Sequence, residues 1–436
     1  MPNNYKDFYT TRPAPEAGTF YTVPKGAWLD TISKATYGYD RVPEIIEAND
    51  YLKERPIYRG TEAAQLPFIH PGDVLWLPAK EIPDEDKIIP AENENEVAIR
   101  IDGKIFRGWE TSSITRSIDT CADSFTFVAP YDPDSENAKY LQPFSYSKAD
   151  LFIGGELYIP GMAMKHTPGG SESSNIMTVE VRSLPGVTID CQSTDKSLNY
   201  NKQTLKQIAD KILIPFGIRT EFPDGDTDPF IKVNRELTDT VFSFLSKLAA
   251  QKGFMITSSV DSKMLFVRAA IDSELVASLY QGEQPLLNVE ASYDSTQRFS
   301  NIISVSQSAG KTNNKKEVID KTIKDYRPMI FTADETESGN IKDAASWKRS
   351  RLLASSSPTT ATVAGWRDFN GNLWMENTLV TVYFPKRCIF RETEYLITGV
   401  SLTKDANSGN IANLTLALPQ AYTLDFPEVL PWEKEV

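Results

Sequence analysis

The chain has 436 residues, 40 % hydrophobic and 24 % charged, with a net charge of −13 and a pI near 4.9. That length supports two to four domains with cores of their own. The acidic balance excludes phosphate-backbone binding as the main task, which needs clustered Lys and Arg, and no apolar run approaches the ~20 residues of a membrane helix.

Residues 1–17 are polar, with Pro13 and Pro15, and read as an extended arm. Met1 to Asp7 carries no apolar core of a secretory signal, so the chain is expected in the cytosol where it is made. Residues 18–79 form one unit. Thr19 to Val23 is a short strand and Pro24-Lys25-Gly26 a turn. Trp28 to Ala35 has apolar residues at 28, 29, 32 and 35, the period of a helix ended by Gly38. A second helix spans about Val42 to Ala48. Pro71-Gly72 then turns into a closing strand, Asp73 to Pro78.

Residues 80–96 carry Pro83, Pro90 and seven acids, the composition of an exposed, mobile linker. Val97 to Phe106 holds an Asp102-Gly103 turn between two apolar runs, a strong hairpin signal. Alternation at Ser113–Ile118, Ser124–Val128 and 151–182 makes residues 97–195 an antiparallel β-domain. Residues 196–275 read as a small α+β domain. Its helices are Leu205–Leu213 and Thr240–Lys252, the latter with Thr238 as its expected N-cap. Residues 276–422 return to β, with a helical insertion near 340–355, and 423–436 form an acidic tail. The basic group Lys311, Lys315, Lys316, Lys321 and Lys324 is expected on a polar loop.

Two hairpins are alike. Leu157 to Gly161 leads to Met177–Val181, and Tyr395 to Gly399 leads to Leu414–Leu418. Each pair is joined by a segment rich in Gly, Ser and Asn (166–175 and 405–413), expected as loops. One β-module used twice in each of three chains would present six similar modules, as an adapter between threefold and sixfold objects requires.

Little in the chain points to catalysis. GxxxxGK[ST], GxSxG and HExxH patterns are missing, and there are two histidines, His70 and His166, both expected in turns. Asp224-Gly225-Asp226-Thr227-Asp228 lacks the downstream Glu of a calcium loop and reads as an acidic turn. Cys121, Cys191 and Cys388 are widely spaced and read as small buried hydrophobes. Trp28, Trp76, Trp109, Trp366 and Trp374 fit core positions better than sugar platforms. No catalytic, cofactor or metal residues are assigned.

Two resemblances follow. Tyr21-Thr22-Val23, Gly26, Trp28-Leu29, Ile32, Ala35, Tyr37-Gly38, Ile45, Asn49 and Ile69 to Pro78 resemble a LysM domain. By that resemblance Pro24, Lys25, Gly26, Ala27, Asn49 and Asp50 mark the place of a glycan groove. The long Asp50–Phe68 insertion departs from the family and weighs against peptidoglycan as the ligand. Further on, Gly103 to Trp109, Thr115-Arg116-Ser117-Ile118, Ser124-Phe125, Gly154-Gly155, Gly161, Cys191, Pro215 to Ile218, Ala249 to Phe254, Tyr326-Arg327-Pro328, Gly365-Trp366-Arg367 and Leu373-Trp374 resemble the Mu-like baseplate hub proteins of contractile phage tails. The fold class is then α+β, mainly β: two tube-like antiparallel β-barrel domains and a small α+β domain, preceded by a βααβ LysM-like domain. The resemblance implies a homotrimer that joins the sixfold tail tube protein to a threefold central spike protein in the virion tail baseplate. It would assemble in the host cytoplasm, with neither specific nucleic acid nor membrane insertion. The LysM-like domain would contact other baseplate or sheath proteins. The alternative is a peptidoglycan-binding tail protein or cell-wall hydrolase accessory.

Overall fold

The computed structural model describes residues 19–23, 29, 32–33, 42–49, 52, 57–59, 65–67, 69–77, 87–107, 112–171, 174–195, 197–306, 314–333, 338–405, 409–423, 426–427 and 429–434. The chain divides into two units, residues 1–86 with 210–219 and residues 87–209 with 220–436.

In the first unit β1 (Thr19–Thr22) is the edge on which the closing strand is laid. The short hairpin β2 (Ile57–Arg59) and β3 (Gln65–Pro67) lies inside the 50–68 insertion. The closing strand β4 (Val74–Leu77) runs antiparallel to β1, with Phe20 opposite Trp76. Leu29 and Ile32 are helical, and a second helix spans Val42–Glu47. Their apolar faces, with Val23, Leu52, Ile69, Leu75 and Leu77, make a core of their own. Trp28, the turn at 24–27 and the arm at 1–17 lie outside the described residues.

The second unit opens with β5 (Val97–Ile101) and β6 (Lys104–Phe106). Asp102 and Gly103 both have positive φ, 45° and 87°, the backbone of a two-residue hairpin that follows strand twist. Then come β7 (Ser112–Ser117), β8 (Ser124–Pro130), β9 (Lys148–Ile153), β10 (Glu156–Ser171) and β11 (Ser174–Ser183). The middle segment pairs β12 (Asn199–Gln203) with β14 (Phe230–Asn234). It also pairs β13 (Thr220–Glu221) and β15 (Met255–Ser258) with β16 (Met264–Val267). The helix Val241–Gln251 is capped by Thr240, whose hydroxyl accepts from Ser243 N, not by Thr238 as the sequence suggested. The chain continues through β17 (Leu275–Tyr280), β18 (Leu286–Ala291), β19 (Asn301–Ser306), β20 (Asn314–Ile319) and β21 (Pro328–Ala333). A helix at Ser338–Ser356 follows, longer than its predicted 340–355 core. β22 (Thr359–Ala364), β23 (Thr378–Phe384), β24 (Ile389–Asp405) and β25 (Gly409–Ala417) end the fold.

Thirteen of these strands form one sheet, in the order β18-β22-β25-β24-β7-β8-β11-β10-β9-β5-β6, with β23 on β24 and β17 on β23. The two halves repeat. β7-β8-β11-β10-β9-β5 corresponds to β18-β22-β25-β24-β23-β17. Continuous rows cross each half. Thr115, Ser124, Arg182, Met162 and Lys148 lie side by side across the first half. Ala291, Thr359, Leu416, Ile397 and Thr378 do so across the second. The long strand of each half carries a bulge, at Ala163/Lys165 in β10 and at Ile397/Gly399 in β24. Two differences remain: β6 has no counterpart in the second half, and β17 runs parallel to β23, whereas β5 runs antiparallel to β9. Phe125, Phe127, Ile159 and Val179 from one half share a single core with Trp366, Trp374, Val380, Ile397 and Leu414 from the other.

Several expectations change here. Segments 166–175 and 405–413 are strand rather than loop for most of their length, because backbone pairing continues to Ser171↔Ser174 and Asp405↔Gly409. His166 therefore sits in a strand. Lys315 and Lys316 lie on β20, opposite Val305 and Ser304, not on a loop. Cys121 is buried, but Cys388 is exposed and occupies a left-handed turn, φ 62°. Of the tryptophans, Trp76, Trp366 and Trp374 are in the core, while Trp28 and Trp109 lie outside the described residues. The second part of the linker is held rather than mobile. Ile89 N donates to Gly155 O at 2.8 Å, Gly154 N donates to Glu96 O at 2.9 Å, and Arg367 donates to Glu94 O and Asn95 Oδ1.

Gly154 and Gly155 make that docking possible. Both have positive φ, and a Cβ on Gly155 would stand 2.4 Å from Ile89 O. Gly155→Ala should destabilise the unit by about 1–3 kcal/mol, read as a lower urea midpoint. The Ile89 amide should exchange faster with solvent hydrogen.

Candidate assembly interface

The strand β24 belongs to both halves. Its first part pairs with β23, ending at Ile397↔Thr378. After the bulge its other part pairs with β7, from Gly399↔Ser117 to Lys404↔Ser112. This seam is braced by charge. On β7 the residues Ser112, Ile114 and Arg116 face inward by alternation, so a guanidinium enters the interior.

Arg116 is 3 % exposed. Its Nε lies 3.0 Å from Glu376 Oε2 and its Nη2 2.9 Å from Oε1, a bidentate fork. Nη2 also donates to Ser258 O at 3.1 Å, and Nη1 donates to Tyr158 O at 3.3 Å. Nη1 stands 3.3 Å from Asp123 Oδ2, which accepts from the Ser258 hydroxyl. The Tyr158 ring lies 5.2 Å from the guanidinium carbon. Five parts of the second unit meet there: β7, the turn before β8, the segment before β23, β10 and β15.

Two carboxyls share one cation, and the environment separates them. Burial raises the Glu376 pKa, but Arg116 outweighs it and holds Glu376 below the usual carboxylate range. For Asp123 burial dominates, and Glu376 adds to it against Arg116, so its carboxyl is pushed up to about 7. Burial also pushes the Tyr158 phenol well up. Glu376 is the ionised partner of Arg116, and Asp123 is the group that gives way. The sequence reading missed all three. The available signal was a lone Arg in an inward register between Ile114 and Ile118.

The residues proposed from the LysM resemblance are not brought together as a site. Pro24, Lys25, Gly26, Ala27 and Asp50 lie outside the described residues. Asn49 is buried, and its amide is spent internally. Nδ2 donates to Ile45 O and Trp76 O, and Oδ1 accepts from Trp76 N, all at 2.7 Å. It ties the helix Val42–Glu47 to β4.

The acidic turn at 224–228 is also internal: Asp224 accepts from Arg268 N, and Asp226 accepts from Lys206 N and Thr227 N. Among the described residues no three His, Cys, Asp or Glu side chains are grouped to hold a metal. No described helix is long and apolar enough to cross a membrane.

What the second unit offers instead is edges. The sheet path ends at β6 and at β18. β10 outruns its neighbour β9 after Met162↔Lys148, leaving Lys165 to Gly169 paired on the β11 side alone. Leu287 on β18 is 50 % exposed, and Phe144, in the loop before β9, is 88 % exposed. Open edges and exposed apolar groups are surfaces for assembly.

Comparison with known proteins agrees with this geometry. Residues 96–183 match the N-terminal domain of Mu phage baseplate assembly protein GpP-like proteins. Residues 186–268 match the second domain of gp44-like baseplate hub proteins, and 337–425 the fourth domain of the Mu baseplate assembly protein GpP. The chain belongs to the Mu-like family of phage tail baseplate hub proteins, and it is a structural component of the virion. It is 29 % identical over 339 residues to the baseplate hub protein gp44 of Escherichia phage Mu, covering 74 % of this chain and 88 % of that one. The crystal structure of the 43 kDa tail protein of prophage MuSo2 from Shewanella oneidensis superposes with a TM-score of 0.65 at 29 % identity, over 75 % of this chain and 99 % of the other. A tail protein from Neisseria meningitidis MC58 has the same fold, with a TM-score of 0.65 at 22 % identity, over 74 % and 95 %.

The buried cluster sets two expectations. Arg116→Met leaves Glu376 buried without its cation and should cost about 3–5 kcal/mol, read by urea unfolding. Between the ordinary carboxylate value of 3.8 and about 7, the folded chain keeps a proton on Asp123 that the unfolded chain has lost. Stability from this group falls as pH rises through that window and is level above it. Asp123→Asn should therefore gain stability relative to the parent from pH 4 to 7, with no further gain above about 7. Urea midpoints at half-unit pH steps read this.

Proposed function

We propose that this baseplate hub protein is a homotrimeric adapter, joining the sixfold tail tube to a threefold central spike. The single observation that carries this reading is the internal repeat. Each chain holds two sheet halves of matching strand order, so three chains present six similar modules on one face and threefold symmetry elsewhere. A closed ring of identical chains is the ordinary way to build such an object. The function is geometric, and the chain's own contribution is surface: two sheet halves joined by β24 and the Arg116 cluster. The net charge of −13 suits a channel that DNA crosses without sticking.

The N-terminal unit is read as a LysM-like module that contacts other baseplate or sheath proteins. Its Asn49 is occupied by Ile45 and Trp76, which favours protein contact over peptidoglycan. The rest of the groove expected from the resemblance is not needed for this role. Assembly in the host cytoplasm follows from the same reading.

Light scattering of the full chain is expected to show particles holding three copies of the 48.8 kDa chain, either alone or in complex with its tube and spike proteins. A chain that stays monomeric in every mixture would sink the adapter. In a cell-wall pull-down, the full chain is expected to stay in solution; retention on purified peptidoglycan would favour the cell-wall alternative.

A further inference from the structure

The two halves carry loops at equivalent places. In the first half the chain passes from β8 to β9 through residues 131–147; in the second it passes from β22 to β23 through residues 365–377. In the strand order β8 corresponds to β22, and β9 to β23. Each loop ends on a strand whose first residue pairs with the middle of the long hairpin strand, Lys148 with Met162 and Thr378 with Ile397. Both loops also rise from one side of the sheet. A row runs across the seam through Ala364, Ile411, Thr403, Ser113 and Thr126, in four antiparallel steps. β22 and β8 therefore run the same way and end on the same side.

Each loop holds a phenylalanine in water. Among the described residues two phenylalanines are exposed, Phe144 at 88 % and Phe369 at 60 %. One stands on each of these loops, and every other phenylalanine whose burial is described is buried or half-buried. The loops are anchored at their bases. Leu141 of the first lies in the common core, as do Trp366 and Trp374 of the second. In the first loop Ser145 N donates to Gln142 O at 3.4 Å, and the Ser147 hydroxyl lies 3.0 Å from Ser145 Oγ. Phe144 has φ 62°, a left-handed backbone that a residue with a Cβ adopts only at a cost. In the second loop the Asp368 carboxylate accepts from Asn370 N at 2.8 Å and from Asn372 N at 2.9 Å, and Arg367 bridges to Leu373. A ring carried on a stiff turn loses little freedom when it is bound, and aromatic rings are enriched at the buried centres of protein interfaces.

We propose that Phe144 and Phe369 are equivalent anchors, each filling an apolar pocket that every subunit of the sixfold tail tube carries once. The proposal rests on the adapter reading and gives its tube-facing surface named residues. Three chains present six phenylalanines on two kinds of loop, so six identical subunits each receive one. The neighbours of the two rings differ, Pro143 and Ser145 against Asp368 and Asn370. A pocket that takes the ring and ignores its neighbours accepts both loops, which is what a sixfold partner needs from a chain whose two halves are alike but not identical.

The test uses the full chain and the purified tube protein. Phe144→Ala and Phe369→Ala should each weaken tube binding by about tenfold, and to a similar extent. Their urea midpoints should match the parent, because both rings are exposed. A benzophenone carried on Phe144→Cys or on Phe369→Cys, in a chain with Cys191→Ser and Cys388→Ser, should cross-link to the same peptide of the tube protein. Matched losses and one shared peptide would establish the anchors. Cross-links to different peptides, or a loss from one loop alone, would overturn their equivalence. Tube binding that neither alanine changes would overturn the anchors and leave the adapter reading standing. A chain that neither binds the tube protein nor enters particles with three copies would overturn both.

Discussion

A single guanidinium in the interior organises the second unit. Arg116 enters a region of apolar strands because its position on β7 alternates with Ser113 and Thr115, which face away. A buried ion pair contributes little net stability compared with apolar packing, since desolvation of both ions offsets their attraction. Its effect is on uniqueness. Sliding β7 by one residue against β24 would carry Arg116 to the opposite face and strand Glu376 without a cation. The charge therefore fixes the register of the seam, and the seam fixes how the two halves are joined. Asp123 adds a proton-bearing partner that keeps the cluster near neutrality at pH 7.

Much of the fold was legible in local pattern. The Asp102-Gly103 turn, the alternation of β7 and β8, and the amphipathic helices were all read from short windows. The errors have physical causes. The tips of both long hairpins are rich in Gly, Ser and Asn and look like loops, yet a ladder is made by backbone groups and extends through them. β17 and β12 were passed over because a short strand with mixed side chains carries little periodic signal. The cap at Thr240 rather than Thr238 is a matter of which hydroxyl reaches Ser243 N. The Arg116–Glu376 fork joins residues 260 apart in sequence, and no local pattern announces such a pair. The groove expected in the N-terminal unit is represented by Asn49 alone among the described residues, and that side chain holds the unit together.

The repeat is approximate in an informative way. The first half carries the extra strand β6, and the second carries a parallel β17–β23 pair where the first has an antiparallel one. The shared strand order lies in the middle strands, where the sheet is continuous and the core is common. The differences lie at the margins, where the halves must meet different neighbours. This division suits a protein with one repeated task and several unrepeated ones.

The seam also sets a clock on synthesis. Ser117 bonds through its hydroxyl to the carbonyl of Thr398, 281 residues later. At about 5–20 residues per second, a ribosome needs roughly 15 to 55 s to make the intervening chain. For that interval β7 is an open edge on a nascent protein, close to other nascent copies on the same message. The charged Arg116 that later locks the seam has no carboxylate from Glu376 until the second half emerges. An unpaired edge holding a cation without its bidentate partner is a poor template for a wrong strand, because closing on it would bury that charge without Glu376. The residue that secures the finished molecule also guards the unfinished one.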